Sequence, residues 1–344
     1  MFLLREAGRE DLNAILELAR YLDSPNLPQD RQFLGARLER SERSFAEPEP
    51  PSADREYQFV LCDETDRVVG TCAIISKHGT PQMPHVYLRV RTEERYSREL
   101  DVRVQHRTFQ LEANDDGPTE LGALVLHPAL RGAPGAPGKL LSWVRFAYIG
   151  LYPNRFESHI LAEMRATLDT EGRSMFWDAF GKRFTSLSYA DADRRSGRDK
   201  SFILDLFPST PFYTAMLPDD VVKELGRVHA EAEPALRLLE AAGLQWIGEI
   251  DPFDAGPFYG APIYRVIPVR ETVRTALDGP DPAPDSPRSI ISTEEGGSFR
   301  AVAVPAQRVD GRVRIGKEAQ TRLGIDEGDC VAWTPLPPSR KQNG

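Results

Sequence analysis

Apolar residues recur along this chain at helical and at alternating spacing. In "REDLNAILELARYL", Leu12, Ile15, Leu16, Ala19 and Leu22 fall on one helical face. Glu10 and Asp11 sit where negative charge favours a helix start. The preceding "FLLREAG" reads as a strand, and "DSPNLP" breaks the helix. "QDRQFLGARLERSERSF" predicts a second amphipathic helix on Phe33, Leu34, Leu38 and Phe45, followed by the acidic, proline-rich surface loop "AEPEPPSADRE".

"YQFVLCDE" and "VVGTCAIISKHG" read as strands joined by "TDR", with Gly70 marking a bulge or a close approach. From Met83 to Asp115 apolar and polar residues alternate, predicting further strands. A strand over Leu121–Leu126 then leads through "HPALRGAPGAPG" into the helix "KLLSWVRFAYIGLYPNRF". "HILAEMRATLD" fits a strand or a helix on periodicity. "SMFWDAFGKRF" predicts a helix whose stripe Phe176, Trp177, Phe180 and Phe184 is core. A last helix ends at Gly243 and precedes a strand. The alternation predicts a mixed α/β core.

Composition changes near residue 277. Residues 277–298 are rich in Pro, Asp, Ser and Gly and read as a linker or extended arm. The tail alternates Val and Arg, holds one short helix and turns at "DEGD". The expected division is a catalytic domain over 1–276, a linker over 277–298 and a small β-rich module over 299–338.

Charge narrows the partners. The 344 residues carry a formal net charge of -9, a poor basis for gripping nucleic acid or an anionic membrane, so a small molecule is expected. The 3 cysteines form no CxxC, which suggests neither zinc site nor disulfide framework and fits a reducing cytosol. The N-terminus is too charged for a signal peptide, and no apolar run approaches the ~18 residues of a membrane span. A cytoplasmic protein with no membrane contact is expected. His78, His85, His106, His127 and His159 form no i,i+4 pair and no metal-ligand pattern, so no metal is expected. His127, before Pro128, is the one of these placed near the chemistry.

The glycine-rich turn is the main chemical signal. A strand that opens through a turn into a helix bares main-chain amides, and helix dipole and amides together suit a phosphate. Pro134 and Pro137 lack N–H groups, so donors must come from Ala133, Gly135, Ala136, Gly138, Lys139 and Leu140, with charge from Arg131 and Lys139. A solvent-exposed turn without ligand is the competing reading. Neither GxGxxG nor a Walker sequence is matched.

The strand, "R-x-x-G-x-G" turn and helix resemble the diphosphate loop of acyl-CoA N-acyltransferases, with the prolines and an apparent extra residue as departures. "ELGALVLHPALR", "LLSWVRF", "ILAEMRATLDTEGRSMFWDAFGKRF", "PFYTAMLP", "GRVHAEAEPALRLLEAAGL" and "DPFDAGP" together resemble the arginine N-succinyltransferase family, and "FRAV…LGIDEGDCV" fits its C-terminal β module. The resemblance implies an acyl-CoA N-acyltransferase-like mixed sheet with flanking helices. It implies transfer of succinyl from succinyl-CoA, a co-substrate rather than a bound cofactor, to the α-amine of L-arginine, as a first step of arginine breakdown. Some members take ornithine. The family's proton donor maps onto His229, and its succinyl-CoA contact onto Leu124, with Val125 and Leu126 as neighbours able to polarise the thioester carbonyl. For His229 the competing reading is a surface residue at a helix start.

Chemistry suggests further candidates. A guanidinium needs a carboxylate and a succinyl carboxylate needs a cation, which points to Glu163, Asp169, Arg165 and Arg183, each otherwise a structural ion pair. No Ser-His-Asp or Cys-His pattern is visible, so direct transfer is expected. "DSPNLP" stands where the family has a "T-S-L-P"-like segment; Ser24 and Pro28 keep part of it, and this leaves the acceptor less secure than succinyl-CoA. Alternatives are an ornithine-preferring enzyme, a non-catalytic subunit of a hetero-oligomer, and DNA binding by a tail similar to swapped-hairpin regulators. A homo- or hetero-oligomer is expected.

Overall fold

The structure, a computed structural model, describes residues 1–22, 26–47, 49–197, 199–279 and 281–337; Ser24 lies outside the described residues. Strand β1 (Leu3–Glu6) leads through α1 (Leu12–Leu18) and α2 (Arg31–Ala46) to β2 (Glu56–Cys62) and β3 (Val68–Ile75). Helix α2 starts at Asp30, whose carboxylate accepts the amides of Gln32 and Phe33. Next come β4 (His85–Ser97) and β5 (Val102–Asn114), paired along their whole length, then β6 (Thr119–Leu126), α3 (Pro137–Leu151) and β7 (His159–Glu163). "HILAEMRATLD" thus begins as a strand, because β6 and a later strand flank it.

Short helices follow: α4 (Met175–Ala179), α5 (Lys182–Thr185), α6 (Tyr189–Ser196) and α7 (Ser201–Leu206), then β8 (Phe212–Tyr213) and α8 (Asp219–Glu224). Phe176, Trp177 and Phe180 pack against Val86, Leu88 and Phe109 at the base of the hairpin, with Phe184 at the rim. The predicted single helix divides at Gly181, where a Cβ would lie 2.4 Å from the Trp177 ring. Helix α9 (Glu233–Ala242) ends at Gly243, φ 99°, and is followed by β9 (Gln245–Ile250), β10 (Pro257–Pro262) and α10 (Ile267–Glu271).

The central strands run in the order β1, β2, β3, β6, β7, β10, β9, β4, β5, β8. Helix α3 packs on one face of this sheet and is buried on nearly every side from Leu140 to Ile149, the mark of a core helix. Burying residues such as Leu141 and Phe146 contributes about 1.5–3 kcal/mol each. Helices α1 and α2 cover the other face. Gly70 is a close approach: a Cβ there would lie 3.0 Å from the Val125 carbonyl and the Leu141 side chain.

The C-terminal part departs from the predicted division. Strands β11 (Val273–Asp278), β12 (Arg288–Thr293), β13 (Arg300–Val309), β14 (Arg312–Ile315) and β15 (Cys330–Pro335), with α11 (Lys317–Leu323), form one module. The strands pair in the circuit β12, β15, β11, β14, β13 and back to β12, a closed barrel. A boundary at 276 cuts β11, and the stretch 277–298, read as a linker, carries the buried strand β12. The proline-rich composition belongs to the loop between these strands, and it masked the apolar pair Ile290–Ile291. The module joins the main sheet through β13, which pairs with β1 at Leu4 and Arg5. Among the described residues no helix is long and apolar enough to cross a membrane.

Candidate active site

Strands β6 and β7 run parallel but pair only at Thr119–Ile160 and Glu120–Leu161. Beyond Glu120 they part, while β6 continues to Leu126 and β7 to Glu163. On its other edge β6 meets β3 through a bulge: Gly122 faces Ala73 and Val125 faces Thr71, so Ala123 and Leu124 share one partner position. Ala123 adopts φ 50°, unusual for a residue with a side chain. A bulge re-aims the main chain that follows it, here along the lip of an open split. Leu124 and Leu126 turn their side chains to the α3 core and Val125 to the α1–α2 core, so contacts to a ligand in the split fall to their main chain.

Past β6, His127 caps a short turn, accepting the Ala129 amide at 3.3 Å, and its ring meets the Tyr21 hydroxyl at 3.4 Å. In the glycine loop the amides of Ala133, Ala136, Lys139 and Leu140 bond to carbonyls of the loop itself. That removes four of the six expected donors, because the loop closes as successive tight turns. Among the described residues the amides of Gly132, Gly135 and Gly138 keep no hydrogen-bond partner. Gly135 and Ala136 are both left-handed, φ 86° and 53°. Arg131 Nη1 lies 3.5 Å from Glu231. Lys139 Nζ donates to the Pro337 carbonyl, and burial with the nearby Arg288 lowers its pKa. Arg288, from β12, donates to the Gly135 carbonyl at 3.2 Å. No local signal in the sequence marks this third cation, because it arrives from the barrel.

His229 precedes α9. Its Nδ1 accepts the Glu231 amide at 3.2 Å, and its own amide donates to the Arg165 carbonyl at 2.8 Å. Arg165 Nη2 stands 3.4 and 3.3 Å from the two ring nitrogens. The bridge Ala166–Val228 fixes this segment beside the end of β7. Two other sequence candidates lie elsewhere. Asp169 is consumed by its own turn, accepting the Glu171 and Arg173 amides and the Arg173 side chain. Arg183 is exposed on α5 and donates to the Ala179 carbonyl. Both are satisfied locally, and among the described residues no contact ties either to the split.

Glu163 closes β7, paired with Phe258 of β10 but past the last residue that pairs with β6. Its side chain reaches water on one side, with protein gathered around it on the others. That enclosure, with the charges of Asp251, Asp254 and Glu120, raises its carboxyl well above the usual range. Burial and Asp251 push Asp254 up to about 8, and burial raises Asp251. The last two come from "DPFDAGP", whose turn signals hid them. Asp251 accepts the Phe253 and Asp254 amides, and Asp254 that of Gly256. Near these carboxylates runs a partly buried chain that spacing did not reveal. Asn26 donates to Glu120 at 3.0 Å, His78 Nδ1 stands 2.6 Å from Glu120, His78 Nε2 lies 3.1 Å from His85, and Glu249 joins His85 to Arg89. Burial opposes ionisation of Glu120, but the His78 contact holds it down to about 2; burial pushes His85 down to about 4.

A mixed sheet parted between two parallel strands, with a bulge on one lip and a glycine loop entering a core helix, defines an acyl-CoA N-acyltransferase fold. The family model described as "Arginine N-succinyltransferase beta subunit" matches residues 2–267, and that described as its C-terminal domain matches residues 271–335. The chain belongs to the arginine N-succinyltransferase beta subunit family. It is similar to arginine N-succinyltransferase subunit beta of Pseudomonas aeruginosa, 34% identical over 337 residues, 97% of this chain and 98% of the relative. Arginine N-succinyltransferase of Escherichia coli is 33% identical over 341 residues, 98% of both chains. The solved structure of arginine/ornithine succinyltransferase subunit AI from Pseudomonas aeruginosa superposes with TM-score 0.84 at 25% identity, covering 98% of this chain and 99% of that one.

Proposed function

We propose that this chain transfers the succinyl group of succinyl-CoA to the α-amine of L-arginine by direct attack. The observation that carries this reading is the split between β6 and β7, with a cation-flanked glycine loop beyond one lip and carboxylates at the end of the other. The free amides of Gly132, Gly135 and Gly138, with Arg131, Lys139 and Arg288, suit the coenzyme's diphosphate. Main-chain donors at Leu124, Val125 and Leu126 suit the thioester oxygen as charge develops on it. Glu163, with Asp251 and Asp254, suits a cationic side chain of the acceptor, and Arg165 the succinyl carboxylate.

The amine has a solution pKa of about 8–9 and sheds a proton before it attacks. Its nitrogen then bonds to the carbonyl carbon, the carbon–sulfur bond breaks, and the nitrogen loses a second proton as the amide forms. His229 takes that second proton and, as the imidazolium, gives it to the departing thiolate, so the ring ends in the state in which it began.

The relatives' names support arginine as acceptor, and the solved relative's name favours ornithine as a second one. Names that speak of subunits support an oligomer. The reading includes a cytoplasmic location, a role in arginine breakdown, and no permanently bound cofactor. A thiol-release assay crossing succinyl-CoA and acetyl-CoA with arginine, ornithine and lysine tests it. Release should need succinyl-CoA and be fastest with arginine. Silence with every pair would overturn the reading, unless activity returns when a second subunit is added, which would favour the non-catalytic alternative.

A further inference from the structure

An amino-acid acceptor brings an α-carboxylate next to its reacting amine. Near three carboxylates that anion needs a cation of its own, or like charges would expel it. The cations at the glycine loop suit the diphosphate and Arg165 the succinyl group, so the α-carboxylate is left without a partner. Lys200 is a cation left without a task.

The place of Lys200 follows from packing. It directly precedes α7, whose Phe202 ring lies 6.4 Å from that of Phe253 and whose Ile203 is buried in one cluster with Phe253 and Ala255. Both partners belong to the turn between β9 and β10 that carries Asp251 and Asp254, so the start of α7 rests on that turn. Asp199 accepts the Ser201 amide at 2.8 Å, and the Lys200 carbonyl accepts the Ile203 amide at 3.1 Å, which fixes the main chain at Lys200.

Strand register then gathers the acidic groups on one side of the sheet. Glu120 pairs with Leu161, two residues before Glu163, and Glu163 pairs with Phe258. Side chains two apart on a strand share a face. Leu161 and Phe258 pack with Tyr87, which stands two residues before Arg89, the partner of Glu249. Asp251 follows two residues after Glu249. The charge of Lys200 reaches this side: it favours the ionised forms of Glu120, Glu163 and Asp251 and opposes protonation of His85. One ammonium thus bears on Glu120, where β6 and β7 part, and on Glu163, where β7 ends. Among the described residues, however, this half-buried side chain makes no hydrogen bond and no ion pair. A lysine kept as a counter-ion would pair with one of these carboxylates. One that bears on all three and pairs with none has its donors open to an anion arriving from solution.

We propose that Lys200 holds the α-carboxylate of the amino-acid acceptor and so selects an α-amino acid over an amine of the same length without that group. This rests on the reading that L-arginine is the acceptor.

The test is titration calorimetry of the full chain, in the presence of coenzyme A, with L-arginine, L-argininamide and agmatine. Argininamide keeps the amine and guanidinium but replaces the carboxylate by a neutral amide, and agmatine lacks the group. The wild type should bind arginine at least about tenfold more tightly than either analogue, as expected for one charge-assisted contact. In Lys200→Met, arginine should fall to the level of the analogues while their own affinities hold or rise, and Lys200→Arg should restore most of the preference. A methionine variant that keeps the preference would overturn the proposal. So would one that weakens all three ligands equally, since that marks a structural support. Lys200→Gln reads the same comparison if the methionine variant does not fold. A wild type that binds all three alike removes this subsite and leaves the proposed acceptor standing, whereas a wild type that binds no arginine removes both.

Discussion

Glu231 Oε2 stands 3.5 Å from Arg131 Nη1, and this pair ties the segment that carries His229 to the glycine loop after β6. Both side chains are half-exposed, so the pair itself is worth only about 0–1 kcal/mol of stability. Arg131→Ala should therefore leave the melting temperature nearly unchanged while raising KM for succinyl-CoA about tenfold, the cost of one charge-assisted contact to a phosphate. Steady-state kinetics with varied succinyl-CoA checks it; an unchanged KM would remove Arg131 from the coenzyme site.

His229→Ala should lower kcat about 10²- to 10⁴-fold, as expected for losing a proton donor. The main-chain bond from residue 229 to Arg165 survives this change, so the fold should hold. A folded variant with near-normal kcat would take His229 out of the reaction.

Glu163→Gln should raise KM for arginine at least tenfold and leave KM for succinyl-CoA within about twofold, because only the acceptor's cation loses a partner. Initial rates with each substrate varied in turn would separate the two. Equal effects on both would place Glu163 away from the acceptor.

At Ala123 the left-handed φ makes a β-branched residue strained. Ala123→Val should cost about 1–3 kcal/mol in urea unfolding and lower kcat, whereas Ala123→Gly should be tolerated. A valine variant as stable as its parent would mean that the β6 bulge does not form in solution.

Asp254 gives stability a pH slope. Its carboxyl lies near 8 in the folded protein, pushed there by burial and Asp251, and near 4 in an unfolded chain. Between these values the folded protein keeps a proton that the unfolded chain has released, so stability falls as pH rises from about 4 to about 8. Glu163 and Asp251 act in the same direction. In Asp254→Asn the decline should be shallower, measured as urea midpoints from pH 5 to pH 9; an identical slope would contradict the burial of a protonated carboxyl.

Alternation and helical spacing made β2, β3, the β4–β5 hairpin, α2 and the Gly243 stop legible, because each depends on neighbours in sequence. The glycine loop was legible for the same reason. The loss of four of its six expected donors was not, since their use within tight turns depends on the loop's own closure. The acidic cluster draws Glu163 from one strand end and Asp251 and Asp254 from a distant turn, and the Glu120–His78–His85 chain joins β6, the loop after β3 and the start of β4. Strand β12 was hidden by the prolines before it. The acidic cluster and the buried chain were missed because their members are brought together only by the pairing of strands far apart in the chain.

The antiparallel contact between Leu4 and Ala301 has a consequence for biosynthesis. At about 5–20 residues per second, roughly 15–60 s separate the emergence of these two residues from the ribosome. Throughout that interval the nascent first strand has an open side, and a stalled or truncated product would leave it available to sticky associations. A strand made late in synthesis thus acts as the seal on one made long before it.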